Sequence, residues 1–256
     1  MPIYSRPTKS LMVDWVKERN LQPREEFSKS EVMNWFAQHY SKIRPTTVSM
    51  HVNGMSINNR NRRHYPNIQP GSGHDLFFKL GPDRFRLWEE KVDPAPLYKP
   101  DIEASESGPI EEGEFEALEG EEAIQAAASR EFAFERDLQN YLAKNLGAIE
   151  PGMILYEEEG ITGIQFEVGG RFIDILAVDS KGGYVVIELK VSRGYDRVVG
   201  QLLRYMGWVD QNLGGSQPAR GIIVAHEITN DLKLAASRIQ GVRLIEYTSS
   251  FALNPV

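Results

Sequence analysis

Asp174, Glu188 and Lys190 are the residues whose types and spacing could do chemistry in this chain. They lie in RFIDILAVDSKGGYVVIELK, residues 171–190, where two β-branched apolar runs flank the turn-forming DSKGG. A turn centred on Lys181 sets residue 174 across from residue 188, and facing Cβ atoms in such a pair are roughly 4.5–5.5 Å apart. Like charges at that separation destabilise a hairpin unless something compensates. The alternation of a strand puts Lys190 on the same side as Glu188. Both runs are too apolar to be solvated on both faces, and buried charges are paired or metal-bound. A Glu-X-Lys triplet alone is common on exposed strands; the apolar context is what marks this one. A hard divalent cation, which takes carboxylate and carbonyl oxygens, would relieve the repulsion.

The elements around this hairpin follow from periodicity. From Ala123 to Leu146, the residues Phe132, Leu138, Leu142 and Leu146 form a helical apolar stripe that Gly147 is placed to cap. Glu131 and Glu135 lie one turn apart on that helix. Strands are expected near MILYEE and IQFEV, before the hairpin. After it comes the helix YDRVVGQLLRYMGWVDQNL, ended by Gly214 and Gly215, on which Gln201, Tyr205 and Trp208 share a face. RGIIVA, TNDLKLAASRI and VRLIEY then read as strand, helix, strand. The C-terminal half is therefore expected to be α/β, a mixed sheet flanked by helices.

The N-terminal hundred residues read differently. Helices are expected over 8–20, from the capping box Ser28–Glu31 onward, and from Pro45, which suits a first helical turn. The run NNRNRRHY follows, and then HDLFFKL and DRFRLW flank Gly81-Pro82 as a second hairpin. Three helices and a hairpin are the order of a winged helix-turn-helix, whose third helix enters the major groove. On that reading Asn58, Asn59, Arg60, Arg62, Arg63 and His64 contact DNA, Arg suiting guanine or phosphate and Asn suiting adenine. The bland alternative is a solvated basic loop.

Charge supports the division. The net charge of −7 hides +6 over residues 1–100, −10 over 101–123, where ten acids stand without a base, and −3 over the rest. Residues 101–123 are expected to be an extended or disordered acidic linker, because they cannot bury enough surface to offset chain entropy. The resulting domains are 1–100 for DNA binding, 101–123 as linker and 124–256 for catalysis. With no Cys, the chain has neither disulfides nor thiolate metal sites. No apolar run approaches the length of a membrane span and no signal peptide is evident, so a cytoplasmic location is expected.

Asp174, then Glu188-Leu189-Lys190, then QLLRYMGWV with Gln201, resembles the PD-(D/E)XK nuclease superfamily and, within it, the catalytic domain of NucS (EndoMS) endonucleases. The resemblance spans roughly Phe132 to Tyr247; the Pro usual before the first Asp of the superfamily is Ile173 here. It implies that Asp174, Glu188 and the backbone carbonyl of Leu189 bind Mg²⁺, with Mn²⁺ a possible substitute. It further implies that Lys190 orients water and stabilises the charged phosphate, that Glu135 helps to hold the metal, and that Gln201 positions the nucleophile. The N-terminal part lacks the β-rich domain of NucS proteins and is similar instead to winged-helix modules of restriction endonucleases. The leading expectation is thus a homodimeric endonuclease cutting double-stranded DNA as a type II or modification-dependent restriction enzyme. The alternatives are a NucS-like repair nuclease acting on mismatched or branched DNA, and a DNA-binding regulator with an inactive nuclease domain.

Overall fold

The computed structural model describes residues 3–106, 135–190 and 197–248. The first run holds helices α1 (Thr8–Glu18), α2 (Lys29–His39) and α3 (Pro45–Gly54), a 3-10 turn at Arg60–His64, strands β1 (Phe77–Gly81) and β2 (Arg84–Leu87), and helix α4 (Lys99–Glu106). The second holds helical residues 135–144 (α5), then β3 (Ile154–Leu155), β4 (Glu157–Glu158), β5 (Ile161–Thr162), β6 (Ile164–Val168), β7 (Arg171–Val178) and β8 (Tyr184–Lys190). The third holds α6 (Val198–Asn212), β9 (Arg220–Ala225), α7 (Asn230–Ser237) and β10 (Val242–Glu246). These residues sort into two compact units, 3–106 together with Glu157–Thr162, and the remainder. Among them no helix is long and apolar enough to cross a membrane.

In the first unit, the helices and hairpin follow the order that the sequence predicts. The capping box is formed, Ser28 N donating to Glu31 Oε1 at 3.0 Å and Glu31 N to Ser28 Oγ at 3.3 Å. Trp15, Phe27, Phe77 and Phe85 meet in the core, with Phe27 4.8 Å from Trp15 and 4.9 Å from Phe77 in edge-on contacts. Neither α1 nor α3 caps itself with a side chain. Both are served by the β4–β5 hairpin, whose two-residue turn places Glu159 and Gly160 at φ 51° and 81°, the left-handed pair such turns require. Glu159 accepts from Thr8 N at 3.2 Å and Thr8 Oγ1 at 3.0 Å. Glu158 accepts from Arg44 Nη1 at 2.9 Å and from Thr47 Oγ1 at 2.5 Å. The Glu159 carboxylate thereby takes a first-turn N–H of α1 at the positive end of its dipole, while Glu158 steadies the start of α3 through the Arg44 and Thr47 side chains.

Two expectations for this part need correcting. Residues 101–106 are helical, not extended. Asp101 accepts from Tyr98 N at 3.0 Å and Ile102 is buried, which supplies the anchor that composition alone conceals. The acidic residues 107–123 lie outside the described residues. The second correction is Arg62, whose side chain is 0% exposed. It pairs with Asp75 at 2.5 Å and lies under the Tyr98 ring at 5.3 Å, and the Tyr98 hydroxyl donates to the same carboxylate at 2.7 Å. A guanidinium held this way braces the fold and cannot reach phosphate. Asn58 and Asn59 are also turned inward, Asn58 exchanging two 2.8 Å bonds with the Lys79 backbone and Asn59 capping the 3-10 turn through Asn61 N. His64 is held neutral by burial and by Arg63, its pKa pushed down to about 4. Of the basic cluster, Arg60 is exposed and Arg63 half-buried.

The second unit is built on a mixed sheet in the order β10-β9-β8-β7-β3, with β6 also paired to β7. The β8–β9 and β9–β10 pairs are parallel, crossed over by α6 and α7, whereas β7–β8, β6–β7 and β3–β7 are antiparallel. Leu142 and Leu146 pack with Ile175, Ile187, Leu189 and Ile222 in one core cluster. α6 lies close to Gly221, where a Cβ would come within 2.7 Å of Leu202 and Met206. α5 does not end on Gly147: residue 145 breaks the helix and Leu146–Ala148 adds a 3-10 turn, which carries Leu146 into the core.

Arg62→Ala should therefore destabilise the first unit rather than loosen a DNA contact. Removing one member of a buried pair costs about 3 kcal/mol, which denaturant unfolding would detect. A stable Arg62→Ala protein would refute the bracing role.

Candidate active site

The paired register from Val178↔Tyr184 to Ile175↔Ile187 is centred on Lys181, as expected, and ends one residue short of Asp174 and Glu188, whose charges act on each other. Glu188 is 1% and Asp174 8% exposed. Each carboxylate is fixed by neutral donors from neighbouring elements. Asp174 Oδ2 accepts from the Leu189 backbone N–H at 2.8 Å, and Oδ1 from Gln165 Nε2 of β6 at 3.1 Å. Behind it, Gln139 of α5 donates to the Asp174 carbonyl at 2.7 Å. Glu188 Oε1 accepts from Gln201 of α6 and lies 3.4 Å from Lys190 Nζ. Glu188 Oε2 is buried and has no hydrogen-bond partner among the described residues.

Two carboxylates share one ammonium at this point. Burial, and then the neighbouring Asp174 charge, push Glu188 up to about 8; burial raises Asp174 as well. Burial alone would lower Lys190, but the charges of Glu188, Asp174 and Glu135 outweigh it and hold the ammonium protonated. An orphaned carboxylate oxygen beside a second acid is the donor set a small divalent cation takes. Among the described residues no three His, Asp or Glu side chains form a ready-made metal cluster. Glu135 adds its negative charge to the field at Glu188 and Lys190.

The structure thus brings together Asp174, Glu188, Lys190 and Gln201, with Leu189 joined through its backbone. Tyr205 is a packing residue whose hydroxyl lies 3.2 Å from Gln201 Nε2, and Trp208 meets Phe166 edge-on at 6.3 Å. His226 packs edge-on to Tyr247 at 5.6 Å. Gln165 and Gln139 were not singled out by the sequence. Gln139 lies one residue after Leu138 on a helix whose start is uncertain from periodicity. Gln165 carries no compositional signal at all, for its role depends on a backbone φ of 48° inside a strand. A non-glycine residue in that region costs on the order of 1 kcal/mol. The only warning is nearby Gly163, where a Cβ would sit 1.9 Å from the Leu176 carbonyl oxygen.

Comparison with known proteins gives this geometry a family context. Residues 134–248 match the family described as the Endonuclease NucS C-terminal domain; residues 7–87 match a domain of unknown function, DUF7669. The chain is 35% identical over 127 residues to Endonuclease NucS of Frankia alni, which covers 49% of this chain and 54% of the relative. It is 32% identical over 127 residues to Endonuclease NucS of a Parafrankia species, with the same coverage of 49% and 54%. A solved repair endonuclease from Pyrococcus abyssi aligns at 23% identity with a TM-score of 0.36, over 53% of this chain and 49% of that one. The chain spans about half the length of the curated relatives it matches.

The raised Glu188 pKa has a definite sign. Between its ordinary 4.5 and about 8 the folded state binds a proton that the unfolded chain lacks. That stability is fully present below 4.5 and lost as pH rises through 8. In the absence of divalent cations, Glu188→Gln should have a higher Tm than the parent at pH 9, and the gap should shrink on acidification. A Tm difference independent of pH, measured by scanning calorimetry in chelator, would contradict the assignment.

Proposed function

We propose that this chain, whose C-terminal half carries a NucS-like nuclease domain of the PD-(D/E)XK kind, is a divalent-metal-dependent endonuclease acting on mismatched or branched double-stranded DNA. The observation that carries this reading is the convergence of Asp174, Glu188 and Lys190 at one buried point, with Glu188 Oε2 unpaired, inside the region matching the NucS C-terminal family. That match favours a NucS-type nuclease over the restriction enzyme expected from the N-terminal half. The burial of Arg62 weakens the base-reading cluster on which the restriction reading leaned.

Asp174, Glu188 and the Leu189 carbonyl would hold Mg²⁺ or Mn²⁺. Two carboxylates and a carbonyl suit such an ion, which keeps water and substrate phosphate in its other positions. When bound, the ion supplies polarisation of the scissile phosphate and acidification of an attacking water. The chain supplies the rest. Lys190, one quarter exposed and held protonated, reaches outward from Glu188 to steady negative charge that grows on the phosphate oxygens. Gln201 keeps Glu188 Oε1 in place from α6, and the Leu189 N–H does the same for Asp174. Glu135 adds negative field that retains the cation. The first unit, net +6 over residues 1–100, would grip the duplex through exposed bases such as Arg60. Its three helices and hairpin are read as winged-helix-like. A homodimer would place one such site on each strand.

Incubation with Mg²⁺ or Mn²⁺ and matched, mismatched and branched duplexes tests this. Mismatched or branched DNA should be cut, and Lys190→Ala should lower the cleavage rate about 10²-fold or more while leaving DNA binding intact. Cutting confined to one sequence in matched DNA would instead favour a restriction enzyme. No cutting of any substrate would favour an inactive regulator.

A further inference from the structure

Gln165 stands out because its backbone is placed against its own steric preference. β6 and β7 pair Ile164 with Ile175 and Phe166 with Ile173, yet the rung between them, Gln165 with Asp174, is not formed. At that rung the chain adopts φ 48°. Glycine is the residue that takes this conformation freely, with Asn and Asp next, and glutamine is not favoured there. What the conformation achieves is visible in the side chain, whose Nε2 donates to Asp174 Oδ1 at 3.1 Å. With the Leu189 N–H on Oδ2 at 2.8 Å, one neutral donor sits on each oxygen. The plane of the carboxylate is thereby set from two strands.

The kind of donor matters as much as its place. A carboxylate has about four lone-pair sites, so two donors leave others open for a cation. An amide and a backbone N–H bring no charge while favouring the anionic form; an Arg or Lys at residue 165 would compete with the cation electrostatically. On Glu188 the Gln201 amide likewise takes Oε1, beside the Lys190 ammonium at 3.4 Å, and Oε2 has no hydrogen-bond partner among the described residues. Strained residues held by surrounding structure gather at functional sites, and donors behind metal ligands set their orientation.

We propose that Gln165 is a positioning residue, which fixes the Asp174 carboxylate in the orientation that receives the divalent cation. The inference rests on the metal-site reading given above. Gln165→Gly separates fold from function, since it removes the side chain and relieves the left-handed strain together. Gln165→Met keeps the length and the strain but removes the donor, and serves if the glycine variant does not fold. Mn²⁺ alone is titrated into the full-length wild type and each variant by isothermal calorimetry, with Tm recorded in chelator. The expected result is a Gln165→Gly protein whose Tm equals or exceeds that of the wild type and whose Mn²⁺ affinity falls at least about tenfold, with a similar fall for Gln165→Met. Wild-type affinity in either folded variant overturns the positioning role alone. A wild type that binds no Mn²⁺ overturns the metal site beneath it and the positioning role with it. A merely structural Gln165 would instead lower Tm in the glycine variant and leave Mn²⁺ affinity unchanged.

Discussion

The repulsion between Asp174 and Glu188 is the constraint around which the C-terminal unit is arranged. Two carboxylates come together from neighbouring antiparallel strands whose central positions are buried. Desolvation alone would drive both to protonate. The surrounding structure answers with donors that orient the acids without cancelling their charge: Leu189 N–H and Gln165 on one, Gln201 on the other, and a single ammonium from Lys190. Burial and the Asp174 charge still push Glu188 up to about 8, so the pair holds a proton at neutral pH.

Those donors come from β6, β8 and α6, so the site depends on how the sheet and helices pack. Gly221 lets α6 approach β9 closely enough for Gln201 to reach Glu188. Gly163 lets the chain pass under the Leu176 carbonyl and enter β6, where the left-handed Gln165 turns its amide to Asp174. On the other face Leu142 and Leu146 seat α5 on Ile175 and Ile187, which carries Gln139 to the Asp174 backbone. The apolar packing and the polar site are parts of one arrangement, because the same strands alternate between them.

The N-terminal unit shows charged residues used in a second way. Arg62 and Asp75 form a buried pair closed by Tyr98, and Glu158 and Glu159 supply the carboxylates that α1 and α3 do not supply for themselves. Here charge holds helices and turns, whereas on the β7–β8 hairpin two acids share one ammonium. Type and spacing look alike in the two cases. Only the partners differ.

That contrast marks how far the sequence reaches. Period and turn chemistry determined the β7–β8 hairpin and its Lys181-centred register and singled out Asp174, Glu188 and Lys190, because strand alternation and a short turn are local rules. The capping box at Ser28 and the helix opening at Pro45 were legible for the same reason. Tertiary structure decided that Arg62 is buried, since a run of NNRNRRHY gives no sign of the distant Asp75 and Tyr98 that enclose it. It decided that residues 101–106 are helical, because the anchor is the burial of Ile102. It decided Gln165 too, for no residue-type rule places a glutamine at positive φ; only the missing rung opposite Asp174 gives that conformation a purpose. Local geometry follows from neighbours in the chain, whereas the balance of charge follows from neighbours in space.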